Sequence, residues 1–284
     1  MKVWVLGASG MLGSSIVELL KKRNISFVAT GREVDITSYS SLETFFLQHT
    51  PTHLINCAAY TQVDLAEKEQ ELSFALNVLG VENLGSIGQN FGVKILHFST
   101  DYVFSGNKLS PYTEEDVCDP VSIYGKTKYE GERRLLQKTP DVVIVRTSWL
   151  FGFRKINFIE KILQKMKEEK EVYVVDDQIG RPTFCDDLAD IAISLLPYRG
   201  LFHFANSQQT SWHQFAEGIF ELASQRGDKL ICEKITKTQT AKFPTLAKRP
   251  MYSVLDTKKV ENFLQIHPRN WKEALQDYFK RSEK

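Results

Sequence analysis

The length, composition and charge of this chain are those of an ordinary soluble protein. It has 284 residues, of which 42% are hydrophobic and 25% charged, and this excludes wholesale disorder and a fibrous repeat. Lys plus Arg number 36 against 35 for Asp plus Glu, so the formal net charge of +1 gives no overall field for nucleic acid or an anionic membrane. No apolar run approaches the ~18 residues of a membrane span, and no signal peptide is visible. We therefore expect a cytoplasmic protein without nucleic-acid or membrane partners.

The cysteines carry no metal or disulfide signature. There are four of them, widely spaced and outside any CxxC or Cys/His cluster: Cys57, Cys118, Cys185 and Cys232. This spacing favours free thiols in a reducing compartment over a disulfide framework or structural zinc. We predict no metal site.

In chain order, the first half alternates short apolar runs with segments of helical periodicity. Strands are predicted at residues 3–6, 26–30, 53–56, 94–99 and 142–147. Helix faces are predicted from Leu12, Ile16, Leu19 and Leu20, from Phe74, Val78 and Val81, and over residues 125–137. This alternation predicts an α/β fold, a Rossmann-type doubly wound parallel sheet covered by helices on both faces.

The second half has a looser pattern. Helices are predicted around residues 159–166, 187–196 and 213–225, and a strand at 172–175. Residues 234–250 show little periodicity and are predicted to form a long loop. We divide the chain into an NAD(P)-binding Rossmann domain at residues 1–150 and a smaller substrate-binding lobe at 151–284, with segments of the lobe interleaved into the first domain.

A glycine-rich turn lies directly between the first predicted strand and the first predicted helix. Gly7, Gly10 and Gly13 give the spacing GxxGxxG. A pyrophosphate needs a tight turn, close approach of the backbone and a helix N-terminus behind it, and glycine meets the first two needs because it has no Cβ. The position of the turn at this junction predicts a dinucleotide site.

The end of the second strand bears on which dinucleotide binds. An acidic residue there would favour NAD through the ribose hydroxyls, whereas this chain has Arg32, whose guanidinium suits a 2′-phosphate. The alternative is a solvated surface arginine, and the neighbouring Glu33 weakens the phosphate interpretation. Asp35 and Ile36 are candidates for the adenine contact. We predict NADPH as the cofactor, with NADH possible.

A tyrosine and a lysine with helical spacing supply candidate proton chemistry. Tyr124 and Lys128 are four residues apart and share a helix face if the helix begins by Ser122. A nearby ammonium group favours the phenolate, so the tyrosine can act as an acid or base at a carbonyl. Thr100 follows the fourth strand, at the sheet edge where parallel-sheet ligands bind, and its hydroxyl could bond the reacting oxygen.

Taken with further motifs, this set resembles a known family. Residues 56–64 (NCAAYTQVD), 99–104 (STDYVF), 124–128 (YGKTK), 146–149 (RTSW), 177–183 (DQIGRPT) and 249–250 (RP) carry the likeness, which runs from residue 3 to about 271. The chain resembles the dTDP-4-dehydrorhamnose reductases, a family of extended short-chain dehydrogenase/reductases.

The resemblance implies a reaction and roles for residues. Family members reduce the C4 ketone of dTDP-4-dehydro-β-L-rhamnose to dTDP-β-L-rhamnose with NADPH, or NADH in some. By motif, Tyr124 is the proton donor, Lys128 its electrostatic partner and a ribose ligand, and Thr100 polarises the ketone. The cofactor set is Gly10, Met11 and Leu12 at the pyrophosphate and Ala59, Tyr60 and Thr61 at the nicotinamide half. The substrate set is Val63, Asp101, Tyr102, Trp149, Asn157 and Arg249.

Several points stay open at this stage. Trp149 is either a flat wall for the sugar or a core tryptophan, and Ile156 departs from the family pattern beside Asn157, which leaves the role of Asn157 open. Alternative functions are a nucleotide-sugar epimerase or dehydratase of the same fold, which would not consume NADPH stoichiometrically, and a catalytically idle NADP-binding regulatory subunit. The expected state is a monomer or a homodimer.

Overall fold

Twelve strands and eleven α-helices are found in the computed structural model, which describes residues 1–282. The strands are β1 (Lys2–Leu6), β2 (Ser26–Thr30), β3 (His53–Asn56), β4 (Lys94–Thr100), β5 (Val142–Thr147), β6 (Leu150–Phe151), β7 (Glu171–Val175), β8 (Ile179–Gly180), β9 (Thr183–Phe184), β10 (Gly200–His203), β11 (Thr210–Ser211) and β12 (Lys234–Thr238). The helices are α1 (Met11–Lys22), α2 (Tyr39–His49), α3 (Val63–Ala66), α4 (Gln70–Phe74), α5 (Gly80–Phe91), α6 (Ile123–Lys138), α7 (Phe158–Glu168), α8 (Cys185–Leu195), α9 (Trp212–Arg226), α10 (Lys258–Leu264) and α11 (Trp271–Arg281).

Six strands form one parallel sheet in the order β10-β5-β4-β3-β1-β2. Successive residues of a strand point to opposite faces, so β1 serves two cores. Val3 and Val5 pack in the cluster that contains α1 and α8, whereas Trp4 and Leu6 pack in the cluster that contains α2 and α5. This confirms the predicted doubly wound α/β fold, and all five carboxyl ends from β1 to β5 meet at one edge.

The second half contributes both to this sheet and to a separate core. β10 pairs with β5 as the edge strand of the main sheet. A second apolar cluster joins α7, α9 and α11 around buried Ile162, Phe215 and Trp271. The division at residue 150 therefore stays a prediction.

The predicted loop at residues 234–250 was wrong in its first part. Residues 234–238 form β12, which pairs in parallel with β7 over the register from Lys234↔Glu171 to Thr238↔Val175. Only Ile235 of this strand is strongly apolar, so main-chain hydrogen bonds to β7 rather than side-chain burial define it, and no hydrophobic pattern marked it.

The helix predicted around Phe74 is interrupted by a π-helical turn. Residues 75–79 form this turn between α4 and α5. A π turn contains one residue more than an α turn, which rotates the following face. Val78 and Val81 are therefore buried while Phe74 is 38% exposed, so the three residues that marked the predicted helix do not lie on one buried face.

Within residues 1–282, no helix combines the length and the apolar content needed to cross a membrane.

Candidate active site

The glycine turn is a close-packed piece of main chain between β1, β3 and α1. Gly7 has φ +71°, and a Cβ built on it would lie 2.7 Å from Ala58 N. A Cβ on Gly13 would lie 2.3 Å from Gly7 O, so both positions require glycine. Gly10 is the N-cap of α1 and provides no side-chain cap. Met11 is half-buried and Leu12 is in the core, which leaves backbone N–H groups as the groups available to an anion.

The end of β2 carries an arginine without a partner among residues 1–282 and a glutamate that accepts a backbone hydrogen bond. Arg32 is exposed and makes no hydrogen bond or ion pair to another residue among 1–282. Glu33 Oε1 accepts a hydrogen bond from Gly31 N at 2.6 Å, and such backbone bonds lower the pKa of Glu33. Asp35 Oδ1 accepts from Thr37, and the neighbouring Ile36 is buried. The assignment of Arg32 to a 2′-phosphate therefore stays a prediction.

The segment after β3 is fixed by a residue that sequence reasoning missed. Asn77 Oδ1 accepts from Tyr60 N at 2.9 Å, and Asn77 Nδ2 donates to Tyr60 O at 3.1 Å. Its amide also reaches Thr127 Oγ1 on α6. Asn77 thus holds the segment with Ala59, Tyr60 and Thr61 against α6. The available signal was a single asparagine in an otherwise apolar helical stretch.

Thr100 and Tyr124 are brought together by the packing of the start of α6 on the turn after β4. Ser122 Oγ caps α6 by accepting from Gly125 N, and Glu67 Oε1 accepts from Ile123 N at 2.8 Å. A Cβ on Gly125 would lie 2.2 Å from Tyr102 O, so glycine permits this close approach. The Tyr124 ring packs edge-on against the ring of Tyr102, with centroids 5.7 Å apart, and the Thr100 side chain is near enough to lower the pKa of Tyr124. The shared site predicted for these two residues is therefore geometrically possible.

The protonation of Tyr124 is dominated by burial. Burial raises the pKa of Tyr124, and the nearby Thr100 side chain lowers it by less. The phenol consequently keeps its proton at neutral pH, as a proton donor must. We expected the Lys128 ammonium to act in the opposite direction, but Lys128 Nζ donates to Phe98 O at 2.7 Å rather than to the phenol. Burial lowers the pKa of Lys128 to about 8.

Asp101 is a buried acid in contact with Thr100. It is 2% exposed, and its Oδ1 accepts from Thr100 Oγ1 at 3.1 Å. Its Oδ2 finds no hydrogen-bond partner in the described part of the chain. Burial raises the pKa of Asp101 to about 7, so both of its forms are populated near neutrality.

An aromatic stack borders the same edge. Trp149 has φ +47° and stacks on Trp212 with ring centroids 3.7 Å apart and planes 7° apart. A Cβ on Gly180 would lie 2.5 Å from the Trp149 indole. Positive φ is rare for a bulky residue and clusters at functional sites. Trp149 is half-buried rather than a core residue, and Trp212, which sequence reasoning missed, covers one of its faces.

The remaining predicted substrate residues fall into two places. Arg249 Nη2 donates to Asp64 Oδ2 at 2.7 Å and Nη1 donates to Tyr102 Oη at 3.5 Å, beside Val63 at the start of α3. Asn157 instead caps α7: its Oδ1 accepts from Ile159 N and its Nδ2 donates to Gly152 O, both at 2.8 Å. Its Nδ2 also lies 3.7 Å from Met11 Sδ, next to the glycine turn.

Comparisons with known proteins point to one family. The family model of the RmlD substrate binding domain matches residues 1–284. The dTDP-4-dehydrorhamnose reductase of Aggregatibacter actinomycetemcomitans is 37% identical over 97% of this chain and 97% of its own length. The dTDP-4-keto-6-deoxy-D-glucose reductase of Streptomyces niveus is 38% identical over 77% of each chain.

Solved structures agree. A dTDP-4-dehydrorhamnose reductase from Clostridium acetobutylicum superposes with a TM-score of 0.94 at 37% identity over 100% of both chains. One from Bacillus anthracis, solved in complex with NADP, gives 0.93 at 33% identity over 99% of each. UDP-glucose 4-epimerase of Thermus thermophilus, at 20% identity over 99% of each chain and a TM-score of 0.83, shows the shared fold alone. The chain belongs to the dTDP-4-dehydrorhamnose reductases, a family of NAD(P)H-dependent oxidoreductases with the extended short-chain dehydrogenase/reductase fold.

Proposed function

We propose that this protein reduces the C4 ketone of dTDP-4-dehydro-β-L-rhamnose to dTDP-β-L-rhamnose with NADPH, in the cytoplasm. Tyr124 is the proton donor, and Thr100 and Lys128 assist it. The single observation that carries the proposal is the close packing of the first turn of α6 on the turn after β4, which brings the Thr100 and Tyr124 side chains to one place. These hydroxyls come from β4 and α6 and meet at the sheet edge that also holds the glycine turn, where one carbonyl oxygen can contact both.

The residues present fit a dinucleotide. Gly7 and Gly13 let the turn pack where a Cβ would clash with the backbone of Ala58 and of Gly7, and among residues 1–282 no side chain caps the N-terminus of α1 in competition with a phosphate. Gly10, Met11 and Leu12 would hold the pyrophosphate through their backbone, and Ala59 to Thr61 the nicotinamide half. When bound, NADPH supplies the hydride for the ketone carbon.

The chain itself supplies the proton and the orientation. The O–H bond of Tyr124 breaks as its proton passes to the ketone oxygen, and the phenolate then takes a proton from solvent. Ketone, NADPH and one proton give alcohol and NADP⁺. A hydroxyl aimed at the developing oxyanion stabilises it, which is the role of Thr100. To take this role, the Thr100 hydroxyl must point its hydrogen at the ketone instead of at Asp101. A protonated Asp101 permits this, because its own O–H can donate to Thr100 Oγ1 and so keep the two side chains hydrogen-bonded.

Two features favour an active reductase over the alternatives. Tyr124 keeps a proton that it can donate, and a ketone oxygen beside Thr100 could accept it. A catalytically idle subunit needs neither feature. A second candidate substrate is dTDP-4-keto-6-deoxy-D-glucose, because the Streptomyces niveus relative is named for its reduction. Whether the protein is a monomer or a homodimer stays a prediction.

The test is a stoichiometric assay with purified protein. NADPH consumption and product are measured together for a panel of 4-keto-6-deoxy sugar nucleotides that differ in base and in stereochemistry. We expect one NADPH oxidised per dTDP-β-L-rhamnose formed, with the slowest turnover for the uridine analogues. Sugar interconversion without net NADPH oxidation would contradict the proposal in favour of an epimerase, and binding of NADPH without turnover of any substrate would favour the idle subunit.

A further inference from the structure

A buried series of hydrogen bonds runs from Ala58, after β3, to Lys128 on α6. Asn56 and His97 are cross-strand partners in the register of β3 and β4. Asn56 Nδ2 lies 3.0 Å from His97 Nδ1, and His97 Nε2 lies 3.3 Å from Lys128 Nζ. At its other end, Asn56 Oδ1 accepts from Ala58 N at 3.0 Å. All three side chains are at most 3% exposed, so water does not complete their hydrogen bonding.

Only one arrangement of hydrogen atoms pairs every donor in this series of hydrogen bonds with an acceptor. The Ala58 N–H fixes the oxygen of the Asn56 amide on its own side, which turns the NH₂ group toward His97. His97 Nδ1 must then accept, so in a neutral ring the hydrogen sits on Nε2. An Nε2–H needs an acceptor, and the atom facing it is Lys128 Nζ. An ammonium has no lone pair, whereas a neutral amine accepts from His97 and still donates to Phe98 O.

The cationic form of Lys128 requires a different arrangement. His97 Nε2 would accept from the ammonium, its Nδ1–H would point at Asn56, and the Asn56 amide would have to flip. The flipped NH₂ group would then face the Ala58 N–H, leaving a buried donor without an acceptor, which is costly. An imidazolium is worse, because both of its N–H groups would face donors.

We propose that Asn56 and His97 are positioning residues for Lys128, which hold its Nζ at Phe98 O and stabilise its neutral amine relative to its ammonium form in the cofactor-free protein. The role of Lys128 in the reaction rests on the proposed function, whereas the tests of this proposal do not. Ala58 N also lies 2.7 Å from the position that a Cβ on Gly7 would take, so this network and the glycine turn border the same main-chain segment.

The charged and titratable groups around Lys128 do not reverse this preference. Burial and the neighbouring Lys128 hold the pKa of His97 well below its ordinary range, so the ring is neutral. Glu132, one turn further along α6, raises the pKa of Lys128, but its carboxylate already binds Arg146 through both oxygens, at 3.0 and 2.7 Å. Tyr124, one turn earlier on the same helix, is neutral because burial raises its pKa.

The first test is the tautomer of His97, measured by ¹⁵N–¹H correlation on the cofactor-free wild-type protein at pH 8 to 9, with resonances assigned through the backbone. We expect a neutral ring with the hydrogen on Nε2 and an unprotonated Nδ1. A ring with its hydrogen on Nδ1, or a doubly protonated ring, would overturn the proposal. The readout does not involve turnover, so an inactive protein with the Nε2–H tautomer would remove only the proposed function.

The second test uses the Asn56→Asp variant, in which the chemical shift of Lys128 Cε is measured as a function of pH. A carboxylate can still accept from Ala58 N, but it replaces the donor to His97 with an acceptor. We expect the hydrogen of His97 to move to Nδ1 and the titration midpoint of Lys128 to rise by about one pH unit or less. Asn90→Asp adds the same charge at an exposed position and should change neither. An unchanged tautomer in Asn56→Asp would contradict the proposal, and if that variant does not fold, the wild-type tautomer alone decides.

Discussion

Backbone atoms define the dinucleotide end of the site, whereas buried titratable side chains define the proton-transfer end. At the first, Gly7 and Gly13 permit contacts that any Cβ would prevent, and Arg32, the candidate for the 2′-phosphate, is exposed and has no partner among residues 1–282. At the second, Asp101 and Lys128 are both nearly inaccessible to water and have shifted pKa values. The first end should therefore control affinity for the cofactor with little dependence on pH, and the second should control the rate and its dependence on pH.

The largest expected effect is on turnover, and it comes from a substitution at the proton-transfer end of the site. Tyr124→Phe removes the donated proton and keeps the ring, so we expect turnover to fall by about 10²–10⁴ while the Kd for NADPH changes little. The measurements are steady-state turnover and cofactor fluorescence titration. Tyr129→Phe removes a phenol from the same helix and serves as the control, with turnover near the wild-type value. Unchanged turnover in Tyr124→Phe would exclude Tyr124 as the donor.

The next effect concerns stability and pH at the proton-transfer end. Burial raises the pKa of Asp101 from 3.8 to about 7, so the folded state holds this proton more tightly than the unfolded state does. Its contribution to stability is complete below the unfolded pKa and is lost as pH rises through the folded pKa. Between pH 4 and 8 the wild type should therefore lose roughly 2 to 4 kcal/mol that Asp101→Asn retains.

Chemical denaturation of both proteins at several pH values measures that difference. Asp119→Asn is the control, because Asp119 is exposed and its side chain has no hydrogen-bond partner among residues 1–282. A stability difference between Asp101→Asn and wild type that does not depend on pH would show that Asp101 is already ionised in the folded protein at pH 4.

The smallest effect tests Arg32, the side chain assigned to the 2′-phosphate. Arg32→Ala should weaken NADPH binding by about tenfold and NADH binding hardly at all, since only NADPH carries the 2′-phosphate that a guanidinium can bind. Calorimetry with both cofactors measures it. Arg199→Ala, at an exposed position before β10 and so at the opposite sheet edge, should leave both affinities unchanged. Equal losses for the two cofactors in Arg32→Ala would refute the 2′-phosphate contact.

The same contrast explains what could be predicted from the sequence. The glycine turn was predictable because the main chain there needs residues without a Cβ, and the spacing of Gly7, Gly10 and Gly13 shows that need directly in the sequence. Thr100 and Tyr124 could be assigned to one sheet edge because the carboxyl ends of parallel strands meet there, and helix α6 does begin directly after Ser122 as their shared face requires.

Features that depend on contacts between distant segments were not predictable. The Asn56–His97 pair follows from the register of β3 against β4, which no local pattern encodes. Asn77 acts through a π-helical turn, and that turn also moved Phe74 off the buried face. Strand β12 is held by main-chain pairing with β7, so its side chains gave no sign of it.

The most direct test of the central claim is a crystal structure of the protein with NADP⁺ and a dTDP-sugar bound. The account predicts that Tyr124 Oη and Thr100 Oγ1 both face the C4 oxygen of the sugar, on the side of the nicotinamide ring where hydride is delivered. A phenol oxygen turned away from the ring, with another side chain in hydrogen-bonding contact with the sugar oxygen, would contradict it.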